Sequence, residues 1–197
     1  PIEGYTNFLW VAWISFLMIF VKDPGILMGV SLSLFNIGSV LVFYKFLRKK
    51  TGADVYLSGL LALLLAMWRP LRQQVWSGLE GPMLVFLFMI ALYLLIDNGD
   101  RPRQLTIGTW IAGLLPLVRP SGVYFTFILF LCFAFQYLWP KRDNPLELLK
   151  KWKWALMGFG IPFLLLTGFR VLYYGQWLPN TYYLKVTKRP GRIGYGI

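Results

Sequence analysis

Long apolar runs alternate with short polar segments along the whole chain. Each run is hydrophobic on every side of a helix rather than along one stripe, which is typical of membrane helices. Several runs are shorter than the roughly 20 residues of a perpendicular span, so we expect them to use uncharged flanks or to be re-entrant. The pattern predicts an all-α fold, a polytopic transmembrane helix bundle of about six or seven membrane segments. The runs are Leu9 to Val21, Ile26 to Tyr44, Val55 to Trp68, Met83 to Ile96, Leu105 to Val118, Val123 to Trp139 and Trp154 to Leu172.

Composition supports this interpretation and narrows the chemistry. Of 197 residues, 57% are hydrophobic and 14% charged, which argues against a water-soluble domain. The chain has no histidine and one cysteine, Cys132, so it holds no Cys/His zinc site, no internal disulfide and no Cys/His nucleophile pair. No repeat or long linker divides residues 1–197. We expect a single module that is incomplete at both ends and belongs to a larger protein.

Charge distribution predicts partners and orientation. The net charge of +12 arises from 20 Lys and Arg against 8 Asp and Glu, placed in short loops, so anionic lipid headgroups are the expected partner and nucleic acid is not. The most basic loops, 45–50, 101–103 and 141–153, alternate along the chain and are expected in the cytoplasm. The segments 69–81 and 119–120 and everything after Leu172 are then expected outside. The side on which Pro1 lies stays open.

Two carboxylates stand apart from the basic loops. Glu80 lies in a turn with Gly78, Gly81 and Pro82, where it could bind a sugar hydroxyl or orient a base; the alternative is an acid that offsets the dipole of the following helix. Glu3 precedes a polar group that includes Tyr5 and Asn7, and a solvated helix cap is its alternative role. Asp54 is expected to start a helix.

Arg119 lies between Pro116 and Pro120, deep between two apolar runs. Its planar fork suits a phosphate or pyrophosphate, and the alternative is snorkelling to lipid phosphate. Arg69 and Arg72 add charge on the same side. No glycine-rich segment has the ending of a phosphate loop, which disfavours an ATP-driven activity. The glycines inside apolar runs are interpreted as close packing positions; these are Gly29, Gly38, Gly59, Gly113, Gly158, Gly160 and Gly168.

Four polar blocks carry a family resemblance. They are Glu-Gly-Tyr-Thr-Asn-Phe-Leu-Trp10, Ser-Gly-Leu-Glu80, Leu-Val-Arg-Pro120 and the aromatic segment Tyr173 to Lys185. In this order, they resemble blocks of the bacterial C-type membrane glycosyltransferases, with the terminal arabinofuranosyltransferases and mannosyltransferase-like proteins as the nearest group. The resemblance implies transfer of a sugar from a polyprenyl-phosphate donor to a cell-envelope glycan or glycolipid, on the outer side of the plasma membrane.

The resemblance also implies residue roles. It assigns the general base to an Asp upstream of the Glu3–Asn7 block, so Glu3 and Glu80 are expected as supporting catalytic carboxylates. It puts that block outside, which requires one of the first two runs not to cross fully. Ser121 departs from the family, which commonly has an acid there. The expected substrate-binding residues are Tyr5, Asn7, Arg69, Arg72, Arg119, Asn180, Tyr182, Tyr183 and Lys185.

The roles divide by chemistry. The cationic residues are expected to stabilise the departing lipid phosphate, and the amide and tyrosine side chains to position the sugar. No cofactor is identified, and a divalent-metal requirement stays open. The alternatives are a transporter or lipid flippase with a polar outer-face site, and a scaffolding membrane subunit, which would not need Glu80, Arg119 and Asn180 to converge.

Overall fold

The computed structural model describes residues 7–76, 78–96, 102–138, 153 and 156–175, and within them the regular structure is entirely helical. The all-α expectation is therefore confirmed for the described residues. Short π-helical turns at Leu47–Thr51, Ala134–Leu138 and Leu156–Gly160 adjoin three of the helices. The helices are α1 (Phe8–Leu17), α2 (Pro24–Phe46), α3 (Val55–Met67), α4 (Arg69–Trp76), α5 (Gly81–Leu95), α6 (Pro102–Val118), α7 (Gly122–Phe133) and α8 (Ile161–Tyr174).

An aspartate precedes the first residue of both α2 and α3 and caps the helix start. The Asp23 carboxylate accepts hydrogen bonds from the backbone N–H groups of Gly25 and Ile26, at 2.8 and 3.2 Å, ahead of Pro24. Asp54 accepts from the N–H of Leu57 at 2.8 Å, which confirms its expected role. Both side chains satisfy donors that a helix start leaves without intrahelical partners.

The core lies where α5 and α6 pack against each other and against α2 and α7. Its fully buried side chains include Leu32, Ala91, Leu115, Leu129 and Phe133. These residues come from α2, α5, α6 and α7, so one continuous apolar interior joins the middle of the chain. This interior fixes the relative heights of the connecting turns at each end of the bundle.

The bundle has two chemically different ends. Asn7 and Arg119 both contact Glu80, and this set of turns is called the Glu80 end. At the opposite end, the Lys50 ammonium lies 5.5 Å from the centre of the Tyr93 ring, near the C-terminus of α5. The turns before α5 and after α6 therefore share one end, and the basic turn after α2 lies at the other. The basic segment 45–50 thus lies at the end opposite Glu80 and Arg119, as loop charge predicts, and most of the other basic loops lies outside the described residues.

Helix α1 does not traverse the bundle. It starts beside Glu80, and Met28 in the second turn of α2 lies next to Gly78 at the same end. The middle of α1 is held by Trp13, whose indole N–H donates to the Ser31 hydroxyl at 3.1 Å. Asn7, before α1, and Met28, in α2, therefore lie at the same end of the bundle.

Close backbone approach explains some of the glycines inside helices. A Cβ at Gly113 would overlap the Gly158 carbonyl, and a Cβ at Gly158 would overlap Thr109. The packing interpretation is confirmed for this pair and for Gly38, which lies against Phe86. The described residues make no such contact at the others, where no described atom lies within 4 Å of an added Cβ; these are Gly29, Gly59, Gly160 and Gly168.

Pro116 interrupts the hydrogen bonding of α6. Proline has no N–H, so the carbonyl of Ala112 loses the donor that an uninterrupted helix would supply. The Thr126 hydroxyl of α7 donates to this carbonyl at 2.7 Å. A side chain of the neighbouring helix thereby satisfies the polar group that the proline leaves open.

One described helix is long and apolar enough to cross a membrane, over Pro24–Thr51 with 28 residues. Other apolar helices in the described part of the chain have 10–17 residues. Only 22% of the most apolar window of the long helix is buried, so much of its hydrophobic surface faces outward.

Candidate functional site

Glu80 lies in the turn between α4 and α5, where backbone geometry directs it inward. Gly78 adopts a left-handed conformation with φ of +69°, which glycine accommodates without steric strain. Glu80 then precedes Gly81 and Pro82, at the N-terminus of α5. Its side chain makes no capping hydrogen bond to α5, and the residue is only 7% exposed. The carboxylate therefore has a role other than capping α5 by a side-chain hydrogen bond.

Two residues from distant parts of the sequence contact this carboxylate. The Asn7 amide nitrogen donates to Glu80 Oε2 at 3.1 Å. The Arg119 Nε lies 3.5 Å from Glu80 Oε1. Each oxygen of the carboxylate thus faces a different segment. Glu80 joins the start of α1 and the α6–α7 turn to its own turn.

The α6–α7 turn holds Arg119 at the rim of the bundle. The backbone N–H of Arg119 still bonds to the Leu115 carbonyl at 3.2 Å, and its own carbonyl accepts from Gly122 at 2.8 Å. A Cβ at Gly122 would overlap the Leu115 backbone, so glycine permits this tight return. The Arg119 side chain is 45% exposed, against 9% for that of Glu80.

The pair is asymmetric in its exposure and in its partners. Among the described residues, Glu80 is the only acid that Arg119 meets, and the contact uses the Nε edge of the guanidinium. The other two nitrogens belong to a half-exposed group. A guanidinium can accept a second, bidentate anion with these nitrogens. Glu80 therefore contacts one edge of a guanidinium whose side chain is 45% exposed.

The structure brings together Asn7, Glu80 and Arg119 of the predicted site residues. Arg69 and Arg72 lie on the exposed side of α4, in the segment that leads to Glu80, and neither contacts the Glu80 carboxylate. The remaining predicted residues lie outside the described part of the chain; these are Glu3, Tyr5, Asn180, Tyr182, Tyr183 and Lys185.

The start of the aromatic Tyr173–Lys185 segment lies close to this site. The Tyr173 ring stacks on Phe169, with centroids 5.4 Å apart and planes 8° apart. Phe169 in turn lies 6.5 Å from Phe8, the residue after Asn7. The end of α8 is therefore beside the start of α1. The last described residues of this segment, Tyr174 and Gly175, therefore lie at the Glu80 end.

An apolar cavity extends from the same place. It has a volume of about 290 Å³ and lies between α1, α6 and α8. Residues on successive turns of α6 line the cavity along the part of the helix that leads to Arg119. Its full lining is Phe8, Trp110, Leu114, Leu117, Pro162, Leu165 and Phe169. The polar contacts of Glu80 with Asn7 and Arg119 are therefore next to an apolar cavity, because Phe8 lines the cavity and directly follows Asn7.

Sequence reasoning missed Arg170, which is only 8% exposed within α8. Gly113 of α6 lies against Gly158 and Pro162, so Pro162 in α8 is at the level of Gly113. Both α6 and α8 line the same cavity, and both run from this level toward the Glu80 end. Eight residues after Pro162, Arg170 lies about 12 Å higher, near the level of Arg119. A lone arginine inside an apolar run is the signal that could have identified it.

The site offers few groups for a metal. No cluster of three His, Cys, Asp or Glu side chains occurs within the described ranges. Comparisons with protein-family models, curated proteins and solved structures found no significant match.

Proposed function

We propose that this protein is a membrane glycosyltransferase that moves a sugar from a polyprenyl-phosphate donor to a cell-envelope acceptor. The observation that carries the proposal is the buried Glu80 carboxylate, bound to Asn7 and Arg119. These residues come from three of the four sequence blocks that resemble the C-type enzymes. Their contact supports a common site rather than independent loop residues.

The outer surface supports placement in a bilayer as a polytopic protein. Large apolar side chains are more than half exposed along α2, α3 and α8, a pattern that water would strongly disfavour over so wide an area. Lipid would cover these side chains, and the basic end would face the cytoplasm of a bacterial plasma membrane. Examples are Leu34, Ile37 and Leu41 on α2, Leu60, Leu63 and Leu64 on α3, and Leu164, Leu165 and Leu172 on α8.

The cavity beside the site supports an amphiphilic donor. Its lining between α1, α6 and α8 is apolar, so a hydrocarbon chain would be favoured there over water. The polar end of such a donor would then lie near Asn7 and Arg119. This arrangement pairs an anionic headgroup with a guanidinium and an isoprenoid chain with aromatic and aliphatic side chains.

In the proposed reaction, an acceptor hydroxyl attacks the anomeric carbon and loses its proton to a base. The resemblance assigns that base to a segment preceding the Glu3–Asn7 block. As the new glycosidic bond forms, the bond from the anomeric carbon to the phosphate oxygen breaks, and the lipid phosphate leaves with the electron pair. Arg119 stabilises the charge on this phosphate, and Glu80 and Asn7 hold Arg119 in position.

The test is transfer by the full-length protein in lipid nanodiscs, with radiolabelled polyprenyl-phosphate sugars and envelope acceptors. Arg119→Ala should lower transfer at least about tenfold, the scale of one lost charge-assisted contact. Arg103→Ala is the matched control, because Arg103 is exposed at the opposite end of the same helix. Unchanged turnover in Arg119→Ala would remove Arg119 from the site.

Reconstitution of the same protein into sealed vesicles distinguishes a flippase. A fluorescent polyprenyl-phosphate analogue would be followed across the bilayer of sealed vesicles, with and without acceptor. Transfer to the acceptor is expected from the transferase. Movement of the analogue across the bilayer, with no sugar transferred from any donor tested, would replace the transferase by the transport alternative.

A further inference from the structure

Helix α4 differs from its neighbours because it is short and amphipathic. Leu71 is 2% exposed and points into the bundle, whereas Arg69, Arg72 and Gln73 are exposed. The helix follows α3 and precedes α5, both of which are strongly apolar. A short helix with one buried face and one basic face, between two apolar helices, has the character of an interfacial helix.

The two arginines of α4 point away from protein partners. In the described part of the chain, neither the Arg69 nor the Arg72 side chain makes a hydrogen bond or an ion pair. Residues three apart on a helix have Cβ atoms about 5–6 Å from each other. Two guanidinium groups are therefore available to one phosphate-sized anion, or to two neighbouring ones.

The surface beside these arginines is apolar. Met67 and Trp68 are 67% and 56% exposed, and Leu64 is exposed one turn earlier on α3. Apolar side chains, then a tryptophan, then cations is the order met on passing from hydrocarbon through the interface to the headgroups. We propose that Trp68, Arg69 and Arg72 form a binding site for the phosphate of anionic phospholipid headgroups, with α4 lying along the membrane surface.

The position of α4 connects this lipid site to Glu80. The Gln74 carboxamide covers Gly81, since a Cβ at Gly81 would overlap it, and Gly81 directly follows Glu80. The helix also packs on α2 and α5. A headgroup that holds α4 therefore also steadies the turn that carries Glu80. Lipid binding itself requires only a membrane location, whereas its effect on sugar transfer rests on the proposed function.

Bulk phospholipid suits this surface better than the donor substrate. The sequence predicts a substrate role for Arg69 and Arg72. Both residues are exposed to the surroundings of the bundle, whereas the Glu80 carboxylate is buried and held by its partners. Attraction between exposed cations and an anionic bilayer depends chiefly on charge, so lysine should replace arginine here. A shaped phosphate pocket would instead need the planar fork of arginine.

The experiment measures lipid selectivity at Trp68 in the full-length protein. Fluorescence quenching by brominated phosphatidylglycerol and brominated phosphatidylcholine is compared in nanodiscs, and the part due to Trp68 is the difference from Trp68→Phe. We expect phosphatidylglycerol to be preferred about tenfold, because each cation near an anionic surface adds severalfold to the attraction. Salt should reduce the preference.

Variants identify the cause of the preference. Arg69→Gln with Arg72→Gln should abolish it, whereas Arg69→Lys with Arg72→Lys should retain it. Gln73→Ala is the matched control on the same exposed side and should change nothing. Absence of a preference in the unmodified protein, its persistence in the glutamine variant, or its loss in the lysine variant would each overturn the proposal. Lipid preference without sugar transfer would contradict only the proposed function.

Discussion

Replacement of Thr126 by valine tests whether α7 compensates for Pro116 in α6. Thr126 and valine have similar shapes, so Thr126→Val removes a hydroxyl with little change in packing volume. The Ala112 carbonyl would then lose its donor, the Thr126 hydroxyl at 2.7 Å. Because Ala112 is fully buried, water cannot easily replace that donor.

The expected cost follows from the state of the carbonyl. A buried polar group left unsatisfied costs about 1–3 kcal/mol, and interhelical hydrogen bonds in membranes are worth about 0.6–1.7 kcal/mol. We expect Thr126→Val to lower the free energy of unfolding by about 1–2 kcal/mol. In a Pro116→Ala background the residue 116 N–H can bond to Ala112, so the same change should cost less than about 0.5 kcal/mol.

The assay is reversible unfolding by sodium dodecyl sulfate in mixed micelles, followed by circular dichroism. It is applied to the unmodified protein, Thr126→Val, Pro116→Ala and the double variant. Ser39→Ala is the control. Its hydroxyl donates at 2.8 Å to the Phe35 carbonyl, which keeps the backbone N–H of the helix as a partner. Equal costs of Thr126→Val in both backgrounds would refute the proposed compensation, as would a cost no larger than that of the control.

Two further predictions concern the helix crossing and the ion pair. Gly113→Ala should lower the free energy of unfolding by about 1–3 kcal/mol because its Cβ would overlap the Gly158 backbone. The control Gly168→Ala adds a methyl group beside open space and should change the free energy of unfolding by less than about 0.5 kcal/mol. Equal effects of the two substitutions would contradict the close crossing of the helices. Glu80→Gln should lower sugar transfer about tenfold. Combination with Arg119→Ala should lower transfer little further, because the two residues act as a unit. Additive losses would show independent roles.

The hydrophobic pattern anticipates most helices but not α4. The run from Ile26 to Tyr44 lies within α2, whose start is fixed by Asp23 and Pro24. In contrast, the sequence places residues 69–81 in a loop, whereas Arg69–Trp76 is helical. A helix with a polar outer side has no continuous apolar run to reveal it. Its existence depends on the packing of Leu71 against the bundle.

Loop charge predicts the common end of Glu80 and Arg119 but not their contact. The alternation of basic loops needs only the number of crossings between them. Contact at 3.5 Å also needs the heights of α5 and α6 to match, which the core sets through side-chain packing. The contact with Asn7 depends further on the return of α1, and nothing in a charge pattern specifies this. Burial of Glu80 is likewise a tertiary property.

Stability alone does not require the ion pair of Glu80 and Arg119. Buried charges lose hydration, and apolar residues of similar volume often replace such a pair with no loss of stability or with a gain of about 1–4 kcal/mol. Three turns could therefore be joined by apolar contacts alone. The Glu80 side chain is 9% exposed and that of Arg119 45%, so a mostly buried carboxylate contacts a half-exposed cation. It holds a cation in a fixed orientation at the rim of the bundle, beside a cavity that suits a lipid chain.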